Sequence, residues 1–171
     1  MFELPSTAAW RHRDARLGFE VLFIRHDGAC LRLEGHSTAV EEDNAWAIRY
    51  DLTLDDRWVT RSAHVVARSV LGVHEVRLEG DGTGVWQIDG KAAAWLDGCL
   101  DVDLEASAST NALPIHRLGL SVGARADAPL PMCAHRCSVW NGWSRRTLGF
   151  RMMTRTRATS TSRRRSISVR F

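Results

Sequence analysis

The sequence predicts a mainly β fold, in which antiparallel strands form a sheet with one buried face. Apolar and polar residues alternate over several segments, and successive side chains of a strand point to opposite faces of a sheet. Asp-Gly dipeptides separate many of these segments, and glycine tolerates the positive φ angles of short hairpin loops. No helical periodicity of comparable length occurs in the 171 residues.

The alternating segments follow one another along the chain. The clearest covers residues 46–54, where five large apolar side chains occupy every second position. The residues predicted to face inward are Leu17, Phe19, Val21, Phe23, Leu31, Leu33, Trp46, Ile48, Tyr50, Leu52, Leu54, Val76, Leu78, Trp86, Ile88, Leu100, Val102 and Leu104. The turn dipeptides begin at Asp27, Asp81, Asp89 and Asp97. A short helical turn is predicted near Pro114, because proline is favoured in the first turn of a helix. Such a sheet is sealed either by its own curvature or by a few short helices.

The charge is distributed unevenly. All 20 acidic residues lie at or before Asp127, whereas 10 of the 23 basic residues lie between Arg136 and Arg170. A basic, Ser/Thr-rich run without carboxylates cannot pair its charges internally. We therefore predict a β domain over residues 1–130 and a basic tail over 131–171. The tail is expected to be disordered, either as a native arm or as the product of a reading-frame shift in a GC-rich gene.

An acidic row lies along the last predicted strand, where Asp101, Asp103 and Glu105 share one strand face and Asp97 precedes them in a turn. Carboxylates in this pattern can bind a divalent cation, act as acid and base, or accept hydrogen bonds from sugar hydroxyls. The simplest interpretation is a solvent-exposed strand face. Because like charges repel, we expect Arg77 or Arg117 to neutralise the row.

Four tryptophans are many large aromatic side chains for a small sheet. They are Trp46, Trp58, Trp86 and Trp95. Tryptophan on an inward face usually fills the core, and the alternative is an apolar pocket lined by these rings.

Three segments together carry a family resemblance. They are residues 82–86 (GTGVW), 96–104 (LDGCLDVDL) and 110–118 (TNALPIHRL), with residues 17–20 and 50–58 as further similarity upstream. They resemble the signature of the bacterial putative glycolipid-binding family, formerly a domain of unknown function. The resemblance covers residues 17–123, and the chain departs from the family pattern after Asp127.

The resemblance implies a curved antiparallel sheet around a few short helices, a half-barrel similar to the carriers that move bacterial lipoproteins. It implies a glycolipid or another amphiphile as ligand, and no catalytic residue, metal or cofactor. Trp58 and Trp86 are the predicted aromatic contacts. The predicted polar contacts are Asp97, Asp101, Asp103, Asn111 and Arg117.

The leading hypothesis is a binding module that holds an amphiphile on the concave face of the sheet. One alternative is a hydrolase or metal-dependent enzyme that uses Asp97, Asp101 and Asp103. Another is that the arginine-rich tail binds nucleic acid or a membrane surface, since clustered arginine contacts phosphates. No apolar run is long enough to span a bilayer, and no basic region precedes an apolar one at the N-terminus, so we expect a cytoplasmic location.

Overall fold

The fold is taken from a computed structural model of the chain. The structure describes residues 4–12, 17–41, 43–104 and 107–120, together with the backbone of three short strands at 125–126, 150–154 and 167–168.

Eight strands pair in chain order to form one sheet, each antiparallel to the next. They are β1 (Thr7–Arg11), β2 (Leu17–Asp27), β3 (Cys30–Glu41), β4 (Asn44–Leu54), β5 (Thr60–Ser69), β6 (Gly72–Gly80), β7 (Trp86–Ile88) and β8 (Lys91–Ala92). Over the described residues, β1 and β8 are the two ends of this order, so the sheet is open rather than closed into a barrel. The predicted mainly β, antiparallel fold is confirmed.

Hairpins join these strands at three of the four predicted Asp-Gly turns, and the first is Asp27-Gly28, where Asp27 at the end of β2 is paired with Cys30 at the start of β3. Asp89 and Gly90 connect β7 to β8 with φ angles of 48° and 73°, the left-handed conformation that a two-residue hairpin turn requires. Asp81 opens the longer loop after β6, and its carboxylate accepts hydrogen bonds from the Thr83 side chain and from three backbone N–H groups. These bonds lower the pKa of Asp81 to about 2. Asp97-Gly98 differs, because it follows a 3-10 turn and leads into the next strand.

The segment after the eight-stranded sheet covers one of its faces. It comprises the 3-10 turn Ala94–Leu96, β9 (Cys99–Leu104), α1 (Ala108–Asn111) and α2 (Leu113–Arg117). Apolar side chains of this segment share one buried cluster with the sheet, and we call the sheet face in that cluster the inner face. The predicted helical turn near Pro114 is confirmed, since Pro114 lies in the first turn of α2. The cover is therefore made of a strand and two helices of four and five residues.

Three further strands are β10 (Arg125–Ala126), β11 (Phe150–Thr154) and β12 (Ile167–Ser168). β11 pairs with β9, and β10 pairs with β12, both antiparallel. β11 and β12 fall within the predicted tail, whereas the boundary near residue 130 and the rest of 131–171, for which disorder is predicted, lie outside the described residues. Both stay predictions, as does the nucleic-acid or membrane role of the tail.

Alternation placed the side chains correctly in β3, β4 and β6, whose predicted inward residues are all buried. In β2 the prediction is wrong. Leu17 and Phe19 are 76% and 59% exposed, whereas Glu20, Leu22 and Ile24 face the core. A shift of one residue turns every side chain of a strand to the other face. The inward face of β2 thus contains a glutamate that is fully buried.

Glu20 is buried because Tyr50 reaches it across an intervening strand. Gly35 of β3 lies between the two, paired with Leu22 on β2 and with Tyr50 on β4. The Tyr50 ring occupies the space that a Cβ atom at Gly35 would fill, and its hydroxyl donates a hydrogen bond to the Glu20 carboxylate. Burial, followed by the nearby Glu20 charge, raises the pKa of Tyr50 well above its ordinary value. The tyrosine is therefore a donor at neutral pH.

The start of α1 supplies the other partners of Glu20. The Ser107 hydroxyl donates to its Oε1 at 2.6 Å, and the Ala108 backbone N–H donates to its Oε2 at 2.6 Å. The Ser109 hydroxyl donates to Oε1 at 3.1 Å. Ser107 also caps α1 by accepting from the Thr110 N–H. A buried carboxylate is tolerated only when hydrogen-bonded, so these contacts fix both the register of β2 and the position of α1.

We predict that Gly35→Ala destabilises the protein by about 1–3 kcal/mol, because the added methyl group forces the Tyr50 ring off Gly35. Urea unfolding measures this loss. In a Tyr50→Leu background the same substitution should cost much less, since the shorter side chain leaves room for the methyl group. Equal costs in the two backgrounds would show that the tyrosine ring is not what requires glycine.

Candidate functional site

The acidic row does not lie on a solvent-exposed strand face. Asp101 and Asp103 in β9 are 1% and 5% exposed, so the predicted solvated face is wrong, whereas Asp97 is exposed in the preceding turn. The reason is that β9 is enclosed on both sides. It contributes to the core beneath the sheet, α1 and α2 lie against it, and β11 pairs with its backbone.

Asp101 is neutralised by Arg117 at the end of α2. The Arg117 Nε lies 3.1 Å from both carboxylate oxygens, and its Nη2 donates to Oδ2 at 2.6 Å. The predicted Arg117 pairing is confirmed, and the Arg77 alternative is wrong because Arg77 pairs with Glu75 on the opposite face of the sheet. The Arg117 side chain keeps 20% exposure, so part of it remains accessible to solvent.

Asp103 and Asn111 are both bonded to the α1 region. The Thr110 hydroxyl donates to Asp103 Oδ1 at 3.3 Å and accepts from the Leu104 N–H at 3.0 Å. The Asn111 amide donates to the Ser107 carbonyl at 3.0 Å, while the residue as a whole is exposed. Asp103 therefore helps to hold α1 on β9, and Asn111 presents part of its surface to solvent.

Trp58 lies in the turn between β4 and β5 and is held against α2. Its ring stacks on His116, with centroids 4.1 Å apart and planes 9° from parallel. Its φ is 64°, a left-handed conformation that is unusual for a bulky residue and costs on the order of 1–3 kcal/mol. The Asp55 carboxylate supports the turn by accepting from the Arg57 and Val59 N–H groups. Such strain tends to occur at functional sites.

His116 is a member of the site that the sequence analysis missed. It lies within the segment 110–118 (TNALPIHRL), and nothing in its local sequence indicates that it meets a tryptophan from a distant turn. Burial lowers the pKa of His116 below its ordinary value of 6.5. The neutral imidazole is thus the form that stacks on Trp58 at neutral pH.

The other tryptophans take different positions. Trp86 is buried in the core, with its Nε1–H bonded to the Cys99 carbonyl at 3.0 Å. Trp46 is also buried, whereas Trp95 lies exposed in the 3-10 turn. Of these four rings, two are buried in the core, that of Trp95 is exposed in its turn, and that of Trp58 is partly exposed and stacked on α2, so they occupy separate positions.

The predicted residues, together with His116, therefore separate into two layers around α1 and α2. Trp58, Asn111, His116 and Arg117 have accessible surface, and we call them the helix-edge site. Asp101, Asp103 and Trp86 are buried behind it, and Asp97 lies apart in its turn. Among the described residues, no group of three or more His, Cys, Asp or Glu side chains is placed to hold a metal ion.

We predict that Arg117→Met destabilises the protein by about 3–5 kcal/mol, because Asp101 is left charged and buried without a partner. The double variant Arg117→Met/Asp101→Leu should recover most of this loss in urea unfolding. Arg77→Met is the matched control, since its ion pair with Glu75 is exposed. A loss for Arg117→Met no larger than for the control would contradict a buried ion pair.

The lowered pKa of His116 predicts a pH dependence of stability. The unfolded chain binds a proton at His116 more tightly than the folded protein does. The contribution of neutral His116 to stability is therefore fully present above pH 6.5 and is lost as the pH drops through the folded pKa. His116→Phe keeps an aromatic ring against Trp58 and should remove this component. Chemical unfolding at pH 5 and pH 8 measures it, and an identical pH dependence in the two proteins would contradict it.

Comparisons with known proteins agree with this architecture. The family model described as putative glycolipid-binding matches residues 7–133. The crystal structure of a DUF1089 family protein from Pseudomonas aeruginosa is similar, with 33% sequence identity and a TM-score of 0.51. The match covers 68% of this chain and 62% of that protein, so the chain spans less than two thirds of its length. The search of curated proteins found no match. Because the family model matches well over half of the chain, the protein belongs to the family described as putative glycolipid-binding.

Proposed function

We propose that this protein binds an amphiphile of the glycolipid class and holds it without chemical change. The observation that carries the proposal is Trp58, whose backbone has a strained left-handed conformation and whose ring stacks on His116. His116 precedes Arg117, which is held by its hydrogen bonds to Asp101. A flat aromatic surface beside hydrogen-bonding groups suits the apolar face and the hydroxyls of a sugar ring. The family description supports the same ligand class.

We divide the predicted contact residues by their exposure. Trp58, Asn111 and Arg117 have surface that a ligand can touch, so they are the proposed contacts for the polar head. Trp86, Asp101 and Asp103 are buried, and we assign them the role of holding that surface in place. Asp97 is exposed in the turn that precedes β9, so it would contact only a ligand that extends along β9 as far as that turn.

The hydrocarbon part of the ligand is proposed to lie along the border of the inner face, beside the two helices. The inner face itself is already packed against β9, α1 and α2. Each methylene removed from water contributes about 0.8 kcal/mol, so a long acyl chain needs only a shallow apolar border to be retained.

Over the described residues, no helix has the length and apolarity needed to cross a bilayer.

The proposal predicts saturable binding of a fluorescent fatty-acyl probe that glycolipid displaces. Trp58→Gly should weaken this binding at least tenfold, because it removes the ring while glycine adopts the positive φ without strain. Arg117→Lys should also weaken displacement by glycolipid, because lysine cannot reproduce the fork of the guanidinium group.

Trp95→Gly is the matched control, since it removes an exposed tryptophan outside the helix-edge site. Circular dichroism and urea unfolding confirm that each variant is folded before binding is compared. Absence of saturable binding in the wild-type protein, or equal losses for Trp58→Gly and Trp95→Gly, would defeat the proposal.

A further inference from the structure

A row of large apolar side chains lies on the solvent side of β2. Leu17, Phe19, Val21 and Phe23 point away from the inner face, and Val40 of β3 is paired directly beside Leu17. Leu17, Phe19, Phe23 and Val40 are all exposed. We call these five residues the outer stripe. Monomeric proteins rarely leave contiguous apolar surface of this kind in water, and where they do it commonly marks a binding surface.

The outer stripe has the dimensions of an extended hydrocarbon chain. It follows one strand from Leu17 to Phe23, six residues at about 3.3 Å each, and is therefore roughly 20 Å long. It is also narrow, because on the neighbouring strand β3 the outward residues from Glu34 to Thr38 are polar. A narrow linear stripe fits an acyl chain better than it fits the broad apolar core of a protein interface.

A polar groove of about 380 Å³ lies on the same side of the sheet, across β3 to β6. The outward side chains that line it are Arg32, Glu34, Asp51, Thr53, Ser62, His64, Arg77 and Glu79. Its volume falls within the roughly 300–1,000 Å³ that ligand pockets occupy. Phe23 is paired with Glu34, and Glu34 with Asp51, so the groove begins where the stripe ends.

Both charge signs line the groove, and three of its lining residues, Glu34, Asp51 and His64, also pair with an oppositely charged or hydrogen-bonding neighbour outside the lining. The His64 Nε2 lies 2.8 Å from Glu75, Arg49 lies 3.3 Å from Asp51, and Arg25 lies 3.4 Å from Glu34 at the junction with the stripe. Because neither sign is left in clear excess, the groove favours a neutral head over a phosphate or an ammonium group. Carboxylates, guanidinium groups and hydroxyls together can accept from and donate to the hydroxyls of a saccharide.

We propose that the outer face is a second binding site, which takes an amphiphile with a single long hydrocarbon chain and a neutral saccharide head. The chain lies along the outer stripe with its polar end at Phe23, and the saccharide occupies the groove over Asp51 and His64. The inference rests on the proposed function for the class of ligand, but the site shares no residue with the helix-edge site.

The test uses n-dodecyl maltoside below its critical micelle concentration, with octaethylene glycol monododecyl ether as a probe of the same chain length without a sugar. Titration calorimetry gives the affinities, and hydroxyl-radical footprinting reports whether Phe19 and Phe23 become protected. We expect protection of both phenylalanines by both probes. Leu17→Ser/Phe19→Ser should weaken binding of both probes at this site at least tenfold.

Asp51→Asn tests the groove separately. It should weaken binding of the maltoside severalfold and leave binding of the polyether unchanged, because only the sugar head uses the carboxylate. Leu71→Ser is the control, since Leu71 is an exposed apolar residue in the turn between β5 and β6, outside the stripe.

Three outcomes would overturn the inference: no protection of Phe19 and Phe23, equal effects of the stripe and Leu71 variants, or a dimer that the stripe variant converts to a monomer. The last would show that a second copy of the chain covers the stripe. Loss of binding in Trp58→Gly with the outer-site protection intact would separate the two sites. If Phe19 and Phe23 are not protected while Trp58→Gly still weakens probe binding, the outer site is refuted and the proposed function stands.

Discussion

The buried carboxylate of Glu20 is the constraint on which the rest of the fold depends. A charge or a carboxyl group without partners is costly in a protein interior, so everything near Glu20 is arranged to supply hydrogen bonds. Tyr50 provides one from two strands away, which requires glycine at position 35, and the first residues of α1 provide the others. A single side chain thus sets the register of β2 and seats the helical cover on the sheet.

A second set of polar contacts places the other end of the cover. Asp101 holds Arg117 at the end of α2, and Asp103 contacts Thr110 in α1. Two helices of four and five residues are too short to be stable alone, so their position depends on these contacts and on the apolar cluster beneath them. The same contacts give Arg117 one orientation at the protein surface, beside the strained Trp58 turn. The helix-edge site is therefore a consequence of how the cover is attached.

The register of β2 also determines which side chains form the outer site proposed above. By turning Glu20 inward, the strand turns Leu17, Phe19 and Phe23 outward, and Phe23 is paired with Glu34 at the border of a polar groove on the neighbouring strands. The sheet consequently has a filled inner face and an amphipathic outer face. For the proposed binding of amphiphiles, the inner face supplies stability, and the outer face offers surface on which an apolar chain and a polar head can lie side by side.

Much of this architecture follows from the sequence itself. Residues 46–54 alternate large apolar and smaller or polar side chains without exception, so only one face of β4 could be buried, and the antiparallel order followed from short turns between successive strands. Repulsion within the acidic row likewise predicted an arginine partner, either Arg77 or Arg117, and the pairing of Arg117 with Asp101 is observed. The predicted end of the β domain near residue 130 stays a prediction.

Other features were decided only by the tertiary structure. In β2 both faces carry apolar residues, so period-two alternation could not choose between them, and the choice depended on donors from β4 and α1 that are distant in sequence. The burial of Asp101 and Asp103 could not be read from a strand pattern that resembles a solvated face, because it required helices and a paired strand to enclose β9. The stack of Trp58 on His116 joins a turn to a helix far along the chain. Alternation shows which side chains share a face of a strand. The hydrogen-bond partners that offset the burial of a polar group come from distant parts of the chain, so only the tertiary structure identifies them.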